Sequence, residues 1–193
     1  MPRSRERGEA MDAITRALFV QGMDAAMGFP SSIADPDLRA GYVGMIADRL
    51  AAKDPATAAT WLAGLGDADA QNRGARRVAE ALARTDVTQA ASWVSKLQPE
   101  ARAEAARGVV QPMSGSDIAG TAKWVSTLSG IPNYDRVVEE FVWSCDQRDP
   151  EQSAAWIKGM ADEAQRTRLY HRMLGEWARR DAAAVKQWVA TNP

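Results

Sequence analysis

The sequence predicts an all-α protein, a right-handed α-solenoid of about five stacked helical hairpins with half-repeats at the ends. Of its 193 residues, 37 are Ala, and Leu, Met, Arg and Glu add further good helix formers. No stretch alternates apolar and polar residues over the length of a β-strand. An Asp and a Trp recur with a period of about 32 residues, which is typical of stacked helical hairpins.

Each repeat begins at an Asp and places a Trp seven residues later. Asp is a strong N-cap because its carboxylate accepts the free N–H groups of the first turn, so each Asp predicts the start of a first helix, helix A. We interpret the Trp residues as packing between neighbouring helices rather than as a stacking platform for bases or sugars. The Asp residues are Asp54, Asp86, Asp117, Asp149 and Asp181, and the Trp residues are Trp61, Trp93, Trp124, Trp156 and Trp188.

The rest of each repeat predicts a second helix, helix B. Two apolar columns lie eight and four residues before the next Asp, and this spacing places them on one buried face. We call them the inner columns. The column at minus eight holds Ile46, Val78, Val109, Phe141 and Met173; the column at minus four holds Leu50, Leu82, Met113, Cys145 and Trp177.

The chain ends depart from the full repeat. Residues 1–9 are predicted to form a charged disordered tail, and residues 10–193 a helical-repeat domain. Within the domain, residues 10–21 form a half unit and residues 35–53 a helix B. The repeats start near residues 22, 54, 86, 117, 149 and 181.

One junction is irregular. The stretch "RGVVQPMSGSDIAG" is one residue short and holds Pro112, which should end or kink helix B near Val110. The sequence therefore predicts a bend or hinge at this junction.

The "DP" seven residues ahead of a Trp, with Ala between, resembles the tetratricopeptide superfamily of α-solenoids. The resemblance covers roughly residues 22–193. The period of about 32 and the Asp-x6-Trp-x3-Leu spacing are closer to looser bacterial helical repeats than to the usual period of about 34. The resemblance implies a protein-binding scaffold and supplies no functional residue.

Composition excludes several kinds of site. The single Cys excludes an internal disulfide, and one Cys with one His excludes a zinc site of the usual Cys/His kind. The sequence contains no run of 18 apolar residues, so it predicts no transmembrane helix. The charged N-terminus lacks the apolar core of a signal peptide. We therefore expect a soluble cytoplasmic protein that binds no membrane, metal or cofactor.

Cys145 and His171 are a candidate nucleophile–base pair, and their columns argue against it. Cys145 lies in an inner column and is predicted to be buried and inert. His171 lies ten residues before Asp181, in a column of polar residues, and is predicted to face solvent. We therefore expect no enzyme.

The outward face of helix B carries most of the candidate partner-binding residues. Arg forks suit carboxylate or phosphate groups, whereas a solvated face with ion pairs four residues apart is the simpler interpretation. Trp143 lies in an otherwise polar column and is either a contact hot spot or folded over the next helix. The candidates on this face are Arg73, Arg76, Arg77, Arg107, Arg136, Trp143, Arg168, Arg172 and Arg179.

The last segment, "DAAAVKQWVATNP", is a helix A that no helix B follows. Val185, Trp188 and Val189 would then lack part of their usual cover. We expect a second copy, a partner or more of a longer protein to cover this end, with Trp188 central and a homodimer as one possibility.

These patterns favour a non-enzymatic scaffold that binds a protein or peptide, with an acidic partner suited to the Arg face. The alternative is binding of nucleic acid or another polyanion through the same Arg residues. Salt distinguishes the two, because polyanion binding weakens steeply as salt rises.

Overall fold

The computed structural model describes residues 2–146 and 148–192, with the side chains of residues 2–5 and 7 outside that description. The described residues form α-helices and one short 3-10 helix (Phe29–Ser32), and no strand occurs among them. The predicted all-α class is therefore confirmed. The α-helices are α1 Pro2–Gln21, α2 Met23–Gly28, α3 Pro36–Lys53, α4 Pro55–Ala63, α5 Ala68–Thr85, α6 Val87–Val94, α7 Pro99–Ser116, α8 Ile118–Thr127, α9 Tyr134–Cys145, α10 Pro150–Lys158, α11 Glu163–Arg180 and α12 Ala182–Thr191.

Long and short helices alternate along the chain. The odd-numbered helices from α3 onward correspond to the predicted helix B, and the even-numbered ones to helix A. The chain divides into two compact units, Met1–Val109 and Val110–Pro193. In the first unit α3 packs on α5, with α4 and α6 against α5. In the second unit α9 packs on α10, α10 on α11 and α11 on α12.

Asp side chains begin most of these helices. In eight helices the carboxylate of the preceding Asp accepts the N–H three residues later, at 2.8–3.0 Å. Five of the eight are the Asp residues of the repeat, so their predicted capping role is confirmed. The sequence patterns missed the other three, Asp35, Asp67 and Asp162, which cap helices of the B type.

The inner columns form the core. All five residues of the column at minus eight are buried, as are four of the five at minus four. In the second unit one apolar cluster joins Ile157 of α10 and Met160, just after it, with Leu169, Met173 and Trp177 of α11. The predicted buried stripe of helix B is therefore confirmed.

A third recurring column, fifteen residues before the Asp, was not predicted. It lies in the first turns of helix B, and in four of its five positions the side chain donates to a carbonyl oxygen of the loop that precedes the helix; the fifth position holds Tyr134. Three members are Arg39, Arg102 and Arg166, at 2.8–3.0 Å from their acceptors. The fourth, the buried Gln71, donates to the oxygen of Leu65 at 2.6 Å. These contacts satisfy carbonyls that the A–B loops leave without backbone partners.

Glycine allows two helices of the first unit to approach closely. A Cβ atom at Gly108 of α7 would lie 2.6 Å from the backbone oxygen of Arg76 in α5 and 2.9 Å from the Cβ of Ala79. Real Cβ atoms do not come so close to a backbone oxygen. The separation of α5 and α7 therefore depends on the absent side chain.

Two expectations about the helices need correction. The segment predicted as a disordered tail is helical from Pro2 onward, because α1 includes residues 2–9. Proline suits a first turn, and the Arg and Glu residues after it are good helix formers. Met1 lies outside the described residues.

Helix α7 also does not end at Val110: it continues through Pro112 to Ser116. Val110 and Ser114 are buried on either side of the proline and anchor both halves of the helix. The hinge stays a prediction.

Candidate functional site

The predicted Arg residues of the first unit are largely paired with carboxylates. Arg76 and Arg77 of α5 both contact Glu80, at 2.9 and 3.3 Å. Arg107 of α7 contacts Glu104 at 3.0 Å. Arg73 is exposed. This is the solvated face with pairs three and four residues apart, the simpler of the two interpretations.

The second unit repeats this pairing. Arg168 lies 3.9 Å from Glu139, and Arg179 is bonded to Glu176. Arg136 is exposed at the start of α9. Charge on this face is therefore balanced locally, and it offers fewer unpaired guanidinium groups than the residue pattern alone suggests.

Trp143 and Arg172 form a stacked pair between α9 and α11. The guanidinium carbon of Arg172 lies 4.1 Å from the centre of the Trp143 ring. Its Nη1 lies 3.3 Å from Oδ2 of the buried Asp146, which fixes the cation from a second side. Trp143 nevertheless stays 57% exposed. Trp143 therefore contacts Arg172 of α11 and leaves much of its ring open to solvent, and its role as a contact hot spot stays a prediction.

Three of the repeated Trp residues make structural contacts. Trp93 is buried, and its indole N–H donates to the oxygen of Ala59 in α4, at 2.9 Å. The indole N–H of Trp61 makes the same bond to Met27, 34 residues earlier, at 3.2 Å. Trp156 packs its edge against Phe141, with ring centres 5.1 Å apart. These contacts confirm the frame and leave no continuous aromatic platform among these three.

A large open groove lies among α10, α11 and α12 of the second unit. Its volume is about 1250 Å³. Glu151 and Lys158 of α10 lie at its rim, and Val189 is 45% exposed within it. Trp188, the last predicted site residue, lies here rather than on the Arg face. The groove is lined by Glu151, Ala154, Ala155, Lys158, Arg166, Tyr170, Leu174, Ala184, Gln187, Trp188, Val189, Thr191 and Asn192.

Tyr170, which lines the groove, is a large residue in a column of small ones. Its column, eleven before the Asp, otherwise holds buried small residues: Val43, Ala75, Ala106 and Val138. The Tyr170 hydroxyl donates to the oxygen of Ala154 at 2.9 Å. Ala154 occupies the same place in its repeat as Ala59, the acceptor of Trp93, so Tyr170 takes the acceptor that Trp188 would otherwise use. Trp188 packs on Trp177 instead, with ring centres 6.0 Å apart.

Comparison with known proteins adds no relative. No protein-family model, no curated protein and no solved structure matches this chain. The tetratricopeptide-like character of the repeat therefore stays a prediction from the sequence.

The Cys145 thiol is enclosed in the core of the second unit. Burial raises its pKa, and its sulfur lies 3.2 Å from the hydroxyl oxygen of Ser153. His171 is exposed on α11. Both placements were predicted, and they leave the thiol paired with a hydroxyl group rather than with the imidazole.

Two further searches concern the described residues alone. Among them, no group of three or more His, Cys, Asp or Glu side chains is arranged to hold a metal ion. No helix in that part of the chain has both the length and the apolar character needed to cross a membrane.

Proposed function

We propose that this chain is a non-enzymatic helical-repeat scaffold that binds a protein partner through the groove among α10, α11 and α12. Its helices would continue as a right-handed α-solenoid of about five hairpins, with half units at the ends. The groove is the observation that carries the proposal, because it combines a volume of about 1250 Å³ with several apolar side chains among its lining residues.

Recurring contacts support the solenoid. The bonds from Trp61 to Met27 and from Trp93 to Ala59 both span 34 residues in the first unit. In the second unit, Arg148 donates to the oxygen of Ser114 and Arg180 to that of Asp146, again over 34 residues. Repeated bonds at a fixed separation are expected when each hairpin packs on the next in the same way.

The groove suits an apolar helix or extended peptide. Tyr170, Leu174, Trp188 and Val189 provide apolar surface, and a large aliphatic and aromatic patch of this kind is typical of binding sites. Lys158 at the rim and Arg166 nearby place two cations against one acid, Glu151. A ligand with apolar anchors and an adjacent carboxylate would fit this arrangement.

The alternative, polyanion binding through the Arg face, has less support. At least six of its eight Arg residues lie within 4 Å of a carboxylate: Arg76, Arg77, Arg107, Arg168, Arg172 and Arg179. A phosphate backbone would have to compete with these intramolecular partners for each guanidinium.

A displayed peptide library tests the proposal. Selection on the purified chain should enrich related peptides. Val189→Glu should weaken their binding by about tenfold or more, because it places a charge among the apolar side chains of the groove. Ala190→Glu is the matched control, because Ala190 is exposed on the same helix and does not line the groove.

Peptides that bind both variants equally would contradict the groove. A steep loss of binding to single-stranded DNA or heparin with salt, together with an empty peptide selection, would favour the polyanion alternative.

A further inference from the structure

Helix α1 extends the repeat pattern toward the N-terminus. Ile14 lies 32 residues before Ile46, and Leu18 lies 32 before Leu50, so both extend the inner columns in register. Residue 22, where the next repeat begins, stands eight positions after Ile14. Helix α1 therefore has the apolar pattern of a helix B.

The inner column at minus eight is buried in all five later helices of the B type and exposed in α1. Ile14 is 42% exposed, whereas its five counterparts in α3, α5, α7, α9 and α11 are buried. An apolar surface of the helix B type is thus available at α1.

The complementary surface is available at α12. The four counterparts of Val189, one position after the repeated Trp, are fully buried: Leu62, Val94, Val125 and Ile157. Val189 itself is 45% exposed. Leu174 and Tyr170 of α11 are also only partly buried, while their counterparts in α9, Val142 and Val138, are buried. The groove therefore presents the side of helices A and B that a following helix B covers elsewhere.

The second unit shows how such a helix packs. Val138 and Val142 of α9 and Ile157 of α10 share one apolar cluster with Met173 and Trp177 of the following helix, α11. In the groove, Tyr170 and Leu174 replace the two Val residues, and Val189 replaces Ile157. The groove therefore fits a helix that carries the inner columns. In α1, Ile14 and Leu18 correspond to Met173 and Trp177 of α11.

We propose that the groove of one chain binds helix α1 of a second copy, which completes the hairpin that α12 begins. This inference rests on the proposed function and names the partner at the same site. The contact is head-to-tail: one copy contributes its groove and the other its α1. Each copy keeps one surface of each kind, so association continues into longer species or closes into a ring.

The test is the size distribution of the full chain over a wide concentration series, measured by sedimentation velocity. We expect species larger than the monomer that grow with concentration. Val189→Glu and Ile14→Glu should each raise the concentration needed for association by about tenfold or more, because each places a charge in the apolar contact. Ala190→Glu and Ala13→Glu are the controls, since both residues are exposed and neither lies in the groove or in an inner column.

Mixing the two single variants gives a sharper result. Val189→Glu retains a working α1 and Ile14→Glu retains a working groove, so together they should form pairs that grow no further. Circular dichroism of each variant shows whether it is folded. If Ile14→Glu is not, Ile14→Ser provides the same test with a smaller change.

Other results would overturn the inference. A chain that stays monomeric throughout, or one whose association is weakened equally by the control variants, excludes α1 as the occupant. If such a chain still binds groove-dependent peptides from the library, the proposed function stands and only the identity of the partner is wrong. If it binds none, both fail.

Discussion

At the scale of single residues, polar contacts as well as apolar ones hold this protein together. Asp67 both caps α5 and pairs with Arg39 at 3.0 Å. Gln71 is fully buried, donates to the oxygen of Leu65 and accepts the N–H of Gln98 at 2.8 Å. The repeat pattern predicted neither role, because a position shared by Arg, Gln and Tyr does not stand out by residue type. Only the position of the loop carbonyl shows what these side chains have in common.

Cys145 provides a prediction at this scale. The thiol is buried and its pKa is raised by that burial, so little reactive thiolate is present near neutral pH. We expect negligible labelling of the native protein by a thiol reagent and one modified group per chain after denaturation, since the chain has one Cys. Mass spectrometry of both samples measures this. Fast labelling of folded protein would show that α9 is turned away from the core.

At the scale of helices, the sequence predicted the elements better than the contacts between them. Capping Asp residues and inner columns are local patterns, and both were confirmed. Ion pairs within a helix were the simpler interpretation of the Arg face, whereas the pair of Glu139 with Arg168 joins different helices and was not predicted. Of the two outcomes predicted at Pro112, an end of helix B is wrong, because buried neighbours outweighed the cost of proline, and a kink stays a prediction.

The close approach of α5 and α7 makes a test at this scale. We expect Gly108→Ala to reduce the free energy of unfolding by about 1–3 kcal/mol, because the new Cβ would collide with the backbone of Arg76. Gly175→Ala in α11 is the matched control: nothing lies within 4 Å of its added Cβ, and it should stabilise by about 0.5–1 kcal/mol. Chemical denaturation of both variants gives the comparison. Equal effects of the same sign would mean that the two helices do not pack as described.

For the whole molecule, the candidate functional site was predicted less fully than the fold. Trp188 and the uncovered last helix were identified from the repeat, and both line the groove. The groove itself was not predicted, because it is formed by side chains of three helices whose packing the repeat pattern does not give. A large residue in a small-residue column was the signal available in the sequence.

Acid stability tests the capping scheme across the molecule. Hydrogen bonds from the side chain and backbone of Thr57 hold the pKa of Asp54 below its usual 3.8, and the backbone N–H of Ala70 does the same for Asp67. A carboxylate whose pKa is lower in the folded state stabilises the fold above the unfolded pKa and loses that effect as pH falls through the folded value. We expect the melting temperature to be nearly constant above about pH 5 and to fall below 3.8. The double variant Asp54→Asn, Asp67→Asn keeps side chains that can cap and should lose less between these pH values. If the melting temperature of the double variant falls with pH as steeply as that of the unmodified chain, other groups control the acid stability.

The Asp caps also determine where this chain can change in length. At Asp54, Asp86, Asp117 and Asp181 one residue alone separates two helices: its N–H bonds back to the preceding helix while its carboxylate bonds forward to the next. An insertion or deletion at such a joint would break both helix ends at once. The loops within the hairpins, such as residues 128–133, contain several residues and can absorb such changes. Over evolution, variation in length should therefore accumulate on the side of the A–B loops, while the side that carries the Asp joints keeps its spacing.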